Sequence, residues 1–344
     1  MKETIAARVP IPPGYSERIY PTTKLEPLVL LLKERGLPLT ALAAAGLTEA
    51  DVMSPSTRVS IDQVLRVYER LLEQAPEPDL AFQTGLHFHV TTYGMYGFAM
   101  LSSQSLRRAL RFAVDYHQLA TPLAECSFIE EGDDAPAWAT RPIPHPEMFG
   151  PLYEFVVELY IGIFCSLLGD LTGGAMRPAF VSLTYAPRSA PGGLPVRRST
   201  QNSLHLDRDL LDRPARMGSP SVNRMLIEIC NSELEQLKKR AGVAGQVRSL
   251  LMETACRPLD VRSAAAQLNM SERSLRRRLA EEGVSITELK DELRLQLAIE
   301  LLRDTRLTTE DIAESLAFSD AASFRKAFRR WTGASPQDYR DRPL

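Results

Sequence analysis

Leu268-Asn269-Met270-Ser271-Glu272-Arg273-Ser274-Leu275-Arg276-Arg277-Arg278-Leu279 and Leu316-Ala317-Phe318-Ser319-Asp320-Ala321-Ala322-Ser323-Phe324-Arg325-Lys326-Ala327-Phe328 read as one pattern written twice. An offset of 49 residues lays apolar Leu275 and Leu279 on aromatic Phe324 and Phe328, and each copy closes on a glycine, Gly283 or Gly333. A short alanine-containing segment precedes each copy, Val261 to Leu268 and Thr309 to Ala317. The grammar of helix, tight turn, serine N-cap (Ser271, Ser319) and second helix predicts two helix-turn-helix units.

At 100° per residue, Leu275 and Leu279 point into the first unit, which places Arg273 and Arg277 on the opposite face with Arg276 beside them. A planar guanidinium matches the paired acceptors of guanine and also grips phosphate, so this helix has the chemistry of a major-groove reader. The second unit keeps the geometry and changes the chemistry. Phe324 and Phe328 face in, Ala322 and Lys326 face out, and Ala321 and Arg325 flank them. Alanine donates no hydrogen bond, so this helix is expected to read thymine methyls and close approach, with Arg325, Lys326, Arg329 and Arg330 on phosphates. Arg278 is the corresponding phosphate contact of the first unit.

Residues 241 to 344 hold 17 basic and 16 acidic residues, so the region has no overall basic balance, and an Arg-rich run is often simply a solvated face. Placement argues otherwise. Four of the six residues 273–278 and four of the six residues 325–330 are basic, on the second helix of both copies.

The region from about 245 to 340 resembles the AraC/XylS family of bacterial transcription regulators. The resemblance is carried by Arg294-Leu295, Ala298 and Leu301-Leu302, then Ile312-Ala313, Phe318, Phe324, Phe328-Arg329-Arg330, Gly333-Ala334-Ser335-Pro336 and Tyr339-Arg340. It implies two helix-turn-helix units joined by a long helix, with base contacts at Arg273, Arg276 and Arg277 in the first unit and at Ala321, Ala322 and Lys326 in the second. Ala317 departs from the family pattern, which has glycine before Phe318.

Upstream the pattern is mixed. Residues 1–24, with Pro10, Pro12, Pro13, Gly14 and Pro21, read as a flexible tail. Residues 25–220 read as an α+β domain, for which the resemblance implies an effector-sensing and dimerisation role. Helices are predicted from Leu25 to Gly36, Leu39 to Ala45, Ile61 to Gln74 and Ser105 to Leu119, and strands over Ala124–Glu130, Ala137–Thr140 and Phe180–Tyr185. Tyr93-Gly94-Met95-Tyr96-Gly97-Phe98 reads as an aromatic turn. This domain is similar, through Tyr93-Gly94-x-x-Gly97-Phe98 and Leu106-x-x-Ala109-Leu110 near Tyr116-His117, to the sensor of ornithine-utilisation-type regulators. The resemblance implies a small-molecule effector and a homodimer. Residues 221–245 read as a connecting helix with a glycine-containing joint at 241–245, and residues 246–344 as the all-α DNA-binding domain. The apolar stripe Val222, Met225, Leu226 and Ile229 is a candidate dimer surface or an intramolecular packing face.

The chain has 344 residues, net charge −2 and 44% apolar residues, which fits two globular domains and excludes a disordered chain or a wholly basic nucleic-acid coat. Four widely spaced cysteines give no disulfide framework and no Cys-x-x-Cys knuckle, which suits a reducing cytoplasm, with the protein on the nucleoid when DNA-bound. Phe155 to Leu171 is interrupted by Glu158, Gly162, Gly169 and Asp170 and reads as a buried helix, so no membrane partner is expected. His87-x-His89 is the one close histidine pair; on the helix predicted there the two rings diverge by about 200°, so no metal and no cofactor are expected. Tyr93, Tyr96, Tyr116 and His117, aromatics with polar tips, together with the phenyl ring of Phe98, are the candidate effector pocket, or simply core packing.

These readings converge on a non-enzymatic, sequence-specific regulator that activates a nearby operon in response to a small molecule, with operator DNA and RNA polymerase as macromolecular partners. A ligand-independent or repressing regulator controlled by protein contacts is the alternative within the class. An enzyme domain fused to a DNA-binding module is the alternative outside it, and no phosphate loop, nucleophile elbow or paired-carboxylate motif supports it.

Overall fold

A computed structural model describes residues 15–74, 77–130, 135–145, 148–240, 242–253, 261–304 and 307–341. The N-terminal part contributes strands β1 (Tyr20–Pro21) and β2 (Arg58–Val59), and helices α1 (Glu26–Glu34), α2 (Glu49–Met53), α3 (Ile61–Gln74), α4 (Leu80–Leu86), α5 (Gly94–Leu101) and α6 (Leu106–Asp115). Strands β3 (Ala124–Ile129) and β4 (Ala137–Pro142), helix α7 (Gly150–Thr172) and strands β5 (Phe180–Leu183), β6 (Val196–Arg198) and β7 (Ser203–His205) come next. The last five strands form a sheet in the order β3-β4-β7-β5-β6, antiparallel except for the parallel pair β5/β6.

Helix α7 is the axis of this domain. Its length and composition would let it cross a membrane, yet 61% of its most apolar window is buried inside the protein, as the core reading of this stretch expected. Phe164 stacks on Trp138 of the sheet at 5.0 Å, and Phe155 packs against Tyr68 of α3 at 4.9 Å. Gly85 of α4 and Gly162 of α7 set how closely these helices cross. A Cβ on Gly85 would lie 2.3 Å from the Leu159 carbonyl oxygen, and one on Gly162 would lie 2.2 Å from that of Phe82.

After the sheet come α8 (Pro220–Arg240), α9 (Gly242–Glu253), α10 (Val261–Gln267), α11 (Glu272–Glu281), α12 (Ile286–Asp304), α13 (Thr309–Ser315), α14 (Ala321–Thr332) and α15 (Pro336–Arg340). Two separate cores form here. Val247 of α9, Leu275 and Leu279 of α11 and Leu289 and Leu293 of α12 build the first. Ala298, Ile299 and Leu302 of α12, Ile312 of α13 and Phe324 and Phe328 of α14 build the second. Nineteen residues of α12 span about 28 Å at 1.5 Å per residue, so one helix serves both cores.

Several expectations are corrected. Part of the presumed tail, residues 15–24, is ordered and packed: Tyr15, Ile19 and Tyr20 are buried in the sensor core, with Tyr20 paired to Val59 of β2 and Tyr15 edge-on against His145 at 4.7 Å. The presumed joint is helical from Gly242 onward, with Val243 and Ala244 buried in the first core; Ala241 lies outside the described residues. The unit expected to start at 246 therefore begins its core at 243. Gly94–Leu101 is a helix, not a turn, since Gly97 lets it lie directly on the Val90 backbone. Strands β6 and β7 escaped the reading because each is three residues long, and none of the β6 residues is buried.

Candidate nucleic-acid interface and ligand cavity

The two helix-turn-helix units share their turn down to single hydrogen bonds. In the first, Met270 N donates to the Ala265 carbonyl at 2.8 Å and Asn269 adopts φ +54°; in the second, Phe318 N donates to the Ala313 carbonyl at 2.9 Å and Ala317 adopts φ +56°. Both are helix endings closed by one left-handed residue. The helix starts beyond these turns differ. Ser271 caps α11, its Oγ accepting from Ser274 N at 3.1 Å, whereas Asp320, not Ser319, caps α14, accepting from Ser323 N at 2.7 Å. The second turn is thus one residue longer, and the repeat offset passes from 48 before the turn to 49 after it.

Helix α11 buries Leu275 and Leu279 and exposes Arg273, Arg276, Arg277 and Arg278. Arg277 pairs with Glu281 at 2.9 Å on its own helix, an exposed i,i+4 pair that costs little to exchange for another anion. Helix α14 buries Phe324 and Phe328 and exposes Ala322, Arg325, Lys326, Arg329 and Arg330, while Ala321 is half-buried against the second core. Arg325 reaches Glu310 at 2.6 Å, and Arg330 reaches Asp291 of α12 at 2.6 Å. Arg294 of α12 donates to the Ala317 carbonyl at 3.3 Å and lies over the Phe318 ring at 4.8 Å, so it braces the second turn. The residues predicted to meet DNA are therefore brought to the surface of two equivalent helices, with Ala321 the least accessible of them.

Glu282, which the sequence did not single out, joins the first unit to α9: its two carboxylate oxygens accept from Val243 N and Ala244 N, each at 2.8 Å. The sensor meets α12 along one stripe, Glu292, Gln296, Glu300 and Arg303. Tyr15 N donates to Glu292 at 3.2 Å, Arg141 pairs with Glu300 at 3.0 Å, and buried Arg248 pairs with Glu17 and with Glu292, the latter at 3.0 Å.

The stripe on α8 divides. Leu226 is buried in the sensor core and Ile229 packs against it, whereas Val222 and Met225 are 43% and 54% exposed. Leu226 and Ile229 are thereby corrected as dimer-surface candidates, because the helix turns them inward.

Of the five pocket candidates, Tyr93, Tyr96 and His117 line an apolar cavity of about 40 Å³, together with Trp138, Phe164 and residues of α5 to α7. Phe98 is 41% exposed and lies elsewhere; Tyr116 stacks on Phe112 at 4.4 Å and donates to Asn231 of α8 at 2.7 Å, outside the cavity. These two are corrected because helix α5 points Phe98 outward and α8 takes the Tyr116 hydroxyl. Lys24 also lines the cavity and was missed, since it fell in the presumed tail. Its Nζ donates to Tyr93 Oη at 3.2 Å and lies 4.8 to 5.2 Å from the ring centres of Tyr160, Phe88 and Tyr93. Burial pushes its pKa down to about 7 and, with the Lys24 charge, that of His117 to about 4; burial pushes the Cys126 thiol up to about 12. A second, more open cleft of about 350 Å³ is lined by Glu69, Glu73, Glu77, Glu154, Glu158 and Arg188 among others.

His87 and His89 sit beyond the end of α4 with separate acidic partners, Glu34 at 3.0 Å and Asp170 at 3.1 Å. Among the described residues no group of three or more His, Cys, Asp or Glu side chains is arranged to hold a metal ion. Cys256 lies outside the described residues.

Comparison with known proteins places both halves. Residues 37–215, just over half the chain, match the arabinose-binding domain of AraC transcription regulators, N-terminal, and residues 264–342 match a helix-turn-helix domain. The ornithine utilization regulator of Pseudomonas aeruginosa is 28% identical over 340 residues, covering 96% of this chain and 99% of that protein. An HTH-type transcriptional regulator of Mycobacterium tuberculosis is 27% identical, covering 96% and 98%. The crystal structure of the transcriptional regulator CdpR from Pseudomonas aeruginosa is similar at 22% identity and a TM-score of 0.48, covering 92% of this chain and 98% of that one. The chain belongs to the AraC family of transcription regulators, with an α+β sensor domain followed by an all-helical DNA-binding domain.

Proposed function

We propose that this regulator binds operator DNA as a homodimer in the cytoplasm, and activates a nearby operon when a small molecule occupies its sensor cavity; it is not assigned a catalytic role. The observation that carries the reading is the pair of equivalent helices, α11 and α14, each exposing four or more basic or small residues from a core built on one shared helix. Arg273, Arg276 and Arg277 read base edges, Ala322 and Lys326 permit close approach in the second groove, and Arg278, Arg325, Arg329 and Arg330 hold phosphates. Ala321 contributes through its shape at the rim of that helix. Two units on one helix suit successive major grooves about 34 Å apart.

The ion pairs from the sensor to the DNA-binding domain, Arg141 to Glu300 of α12 and Glu17 to Arg248 of α9, give an effector a physical route to that domain, because a ligand acts only through different affinity for two arrangements. Exposed Val222 and Met225 supply the dimer contact. Selection of bound fragments from genomic DNA, followed by footprinting, tests the reading. Two protected grooves per subunit and loss of selection in Arg276→Ala/Arg277→Ala are expected. Selection that survives the double substitution overturns it. Val222→Glu/Met225→Glu is expected to give folded monomers; a dimer that persists removes this interface.

A further inference from the structure

Helix α7 is apolar along most of its length, yet one face carries Glu154 and Glu158, one turn apart. Glu158 is 8% exposed. Like charges at this spacing repel, and a buried carboxylate ordinarily has a cation beside it, because desolvating an unpaired charge is costly. Among the described residues neither carboxylate has an ion-pair partner. The groups that face Glu158 are Glu154 on its own helix, Asp79 ahead of α4, exposed Arg188 beyond β5, and the Tyr185 hydroxyl, which also donates to the Glu154 carbonyl at 3.4 Å. Burial, and then the Glu154 charge, push the Glu158 pKa up to about 7, and Arg188 and Tyr185 offset this only in part.

Glu158 borders open space on two sides. It lines the cleft of about 350 Å³ beside α3 and α7, and a further one of about 450 Å³ that shares Pro78 and Glu158 with it and is walled by Phe82, Gln83 and Gly192. At about 30 Å³ per water in the liquid, the first cleft holds on the order of ten waters, so a ligand of similar or smaller heavy-atom count fits. Leu72, Ala81, Leu152 and Phe155 supply its apolar wall. Two of its other carboxylates are already paired, Glu73 with Arg70 at 2.6 Å and Glu77 with Arg35. The negative charge left without a counter-ion is therefore concentrated on α7.

We propose that this cleft is a binding site for an organic ammonium ion with an apolar body, whose charge sits between the Glu154 and Glu158 carboxylates while its chain or ring lies on Leu72 and Phe155. The site is separate from the apolar cavity of Tyr93 and His117, and the proposal stands whether or not that cavity holds the effector. Five glutamates against the single guanidinium of Arg188 repel an acid of the same shape, and an alcohol leaves the charge on α7 unpaired, so charge decides the ligand.

The experiment is calorimetric titration of the full chain at pH 8. Hexylamine, benzylamine and phenethylamine are compared with hexanol, benzyl alcohol and phenethyl alcohol, and with hexanoate, benzoate and phenylacetate. At least one amine is expected to saturate a single site per chain, tenfold or more tightly than its alcohol, with no binding of the matched acid. Glu158→Gln should lower that affinity tenfold or more, and Arg188→Gln should raise it, because Arg188 competes for the same carboxylates. A bound ammonium holds Glu158 ionised, so below pH 7 binding should weaken and release protons, approaching one per ligand by pH 6. Both effects should be much reduced in Glu158→Gln.

Glu158→Gln should also melt at or above the wild-type temperature at pH 8, since it removes a charge desolvated without a counter-ion. Folding raises this carboxyl from 4.5 to about 7, so between those values the folded chain holds the proton more readily and wild-type stability falls as pH rises; the advantage of Glu158→Gln should grow from pH 5 to pH 8.

Equal binding of amine and alcohol, tighter binding of the acids, no saturable binding by any of the three amines, or amine affinity that survives Glu158→Gln or falls in Arg188→Gln would each overturn the assignment. So would a large fall in melting temperature in Glu158→Gln, which would show the charge to be satisfied within the fold. Operator affinity measured with the tightest amine separates this site from the effector reading. A change would make the cleft the place where the regulator senses its ligand; no change would keep the site and leave the effector reading with the cavity of Tyr93 and His117.

Discussion

The two helix-turn-helix units have nearly the same backbone and opposite chemistry. In α11 the exposed surface carries four arginines, of which Arg277 is tied to a neighbour on its own helix by an exposed pair. In α14 the centre of the exposed face is Ala322 and Lys326, and Arg325 and Arg330 are drawn sideways to Glu310 and Asp291. A repeat that conserves the core positions, Leu275 and Leu279 against Phe324 and Phe328, is free to diverge on the face the core does not use. Folding fixes the inward residues, and the outward ones are left for recognition. Burial of the two phenylalanines, worth about 1.5 to 3 kcal/mol each, also makes the second core the more aromatic of the two.

The largest effect expected from this contrast is electrostatic. Operator affinity should fall by orders of magnitude from about 50 to 200 mM salt, and each phosphate contact removed from the second unit, by Arg329→Ala or Arg330→Ala, should flatten the log–log slope by about 0.9. A slope unchanged by both substitutions would show that α14 does not track the backbone. Next in size, Arg277→Ala should cost about 1 to 3 kcal/mol on the operator and little on random DNA, since a lost base contact removes discrimination. If Arg277→Ala and Arg330→Ala weaken specific and random DNA by equal factors, the division of labour between the units is wrong.

A smaller effect separates the units by stability. Gly242 has φ +64°, and a Cβ there would lie 2.6 Å from a Glu282 carboxylate oxygen. Gly242→Ala should therefore cost about 1 to 2 kcal/mol, with faster amide exchange confined to α9 and α11, because Glu282 is what caps α9 against the first unit. Equal acceleration in α13 and α14 would mean that the two cores unfold as one. The smallest effect compares the turns themselves. Ala317→Gly should stabilise the protein by about 0.5 to 1 kcal/mol, seen in the denaturant midpoint, since alanine is strained at φ +56°. Asn269→Gly at φ +54° should gain less, because asparagine tolerates that conformation.

The recognition helices were legible because their signal is local. A hydrophobic period of 3.6, a cap three residues ahead of its amide and a repeat offset need no information from elsewhere in the chain. Even there one detail escaped. Serine matches serine in the alignment, yet Asp320 is the cap, because the second turn holds an extra residue that shifts the helix start relative to Ser319. The sensor cavity was only partly legible. Tyr93, Tyr96 and His117 were found as aromatics with polar tips, whereas Tyr116, of the same kind, and aromatic Phe98 face elsewhere.

By itself the sequence determined the class of the C-terminal domain, the inward and outward faces of both recognition helices, the mixed character of the sensor and the buried role of α7. Each of these comes from periodicity and turn chemistry within some twenty residues. Tertiary structure alone decided which polar groups lose water and which gain a distant partner. Residues 15–24 pack against a sensor whose other walls are up to 150 residues away, so that a lysine in a proline-bearing, tail-like segment becomes a desolvated charge in a cavity. Glu282 becomes the cap of a helix that begins forty residues earlier, and Leu226 turns inward while Val222 stays out. For these groups burial depends on what arrives from elsewhere in the chain, and the local pattern around them does not encode it.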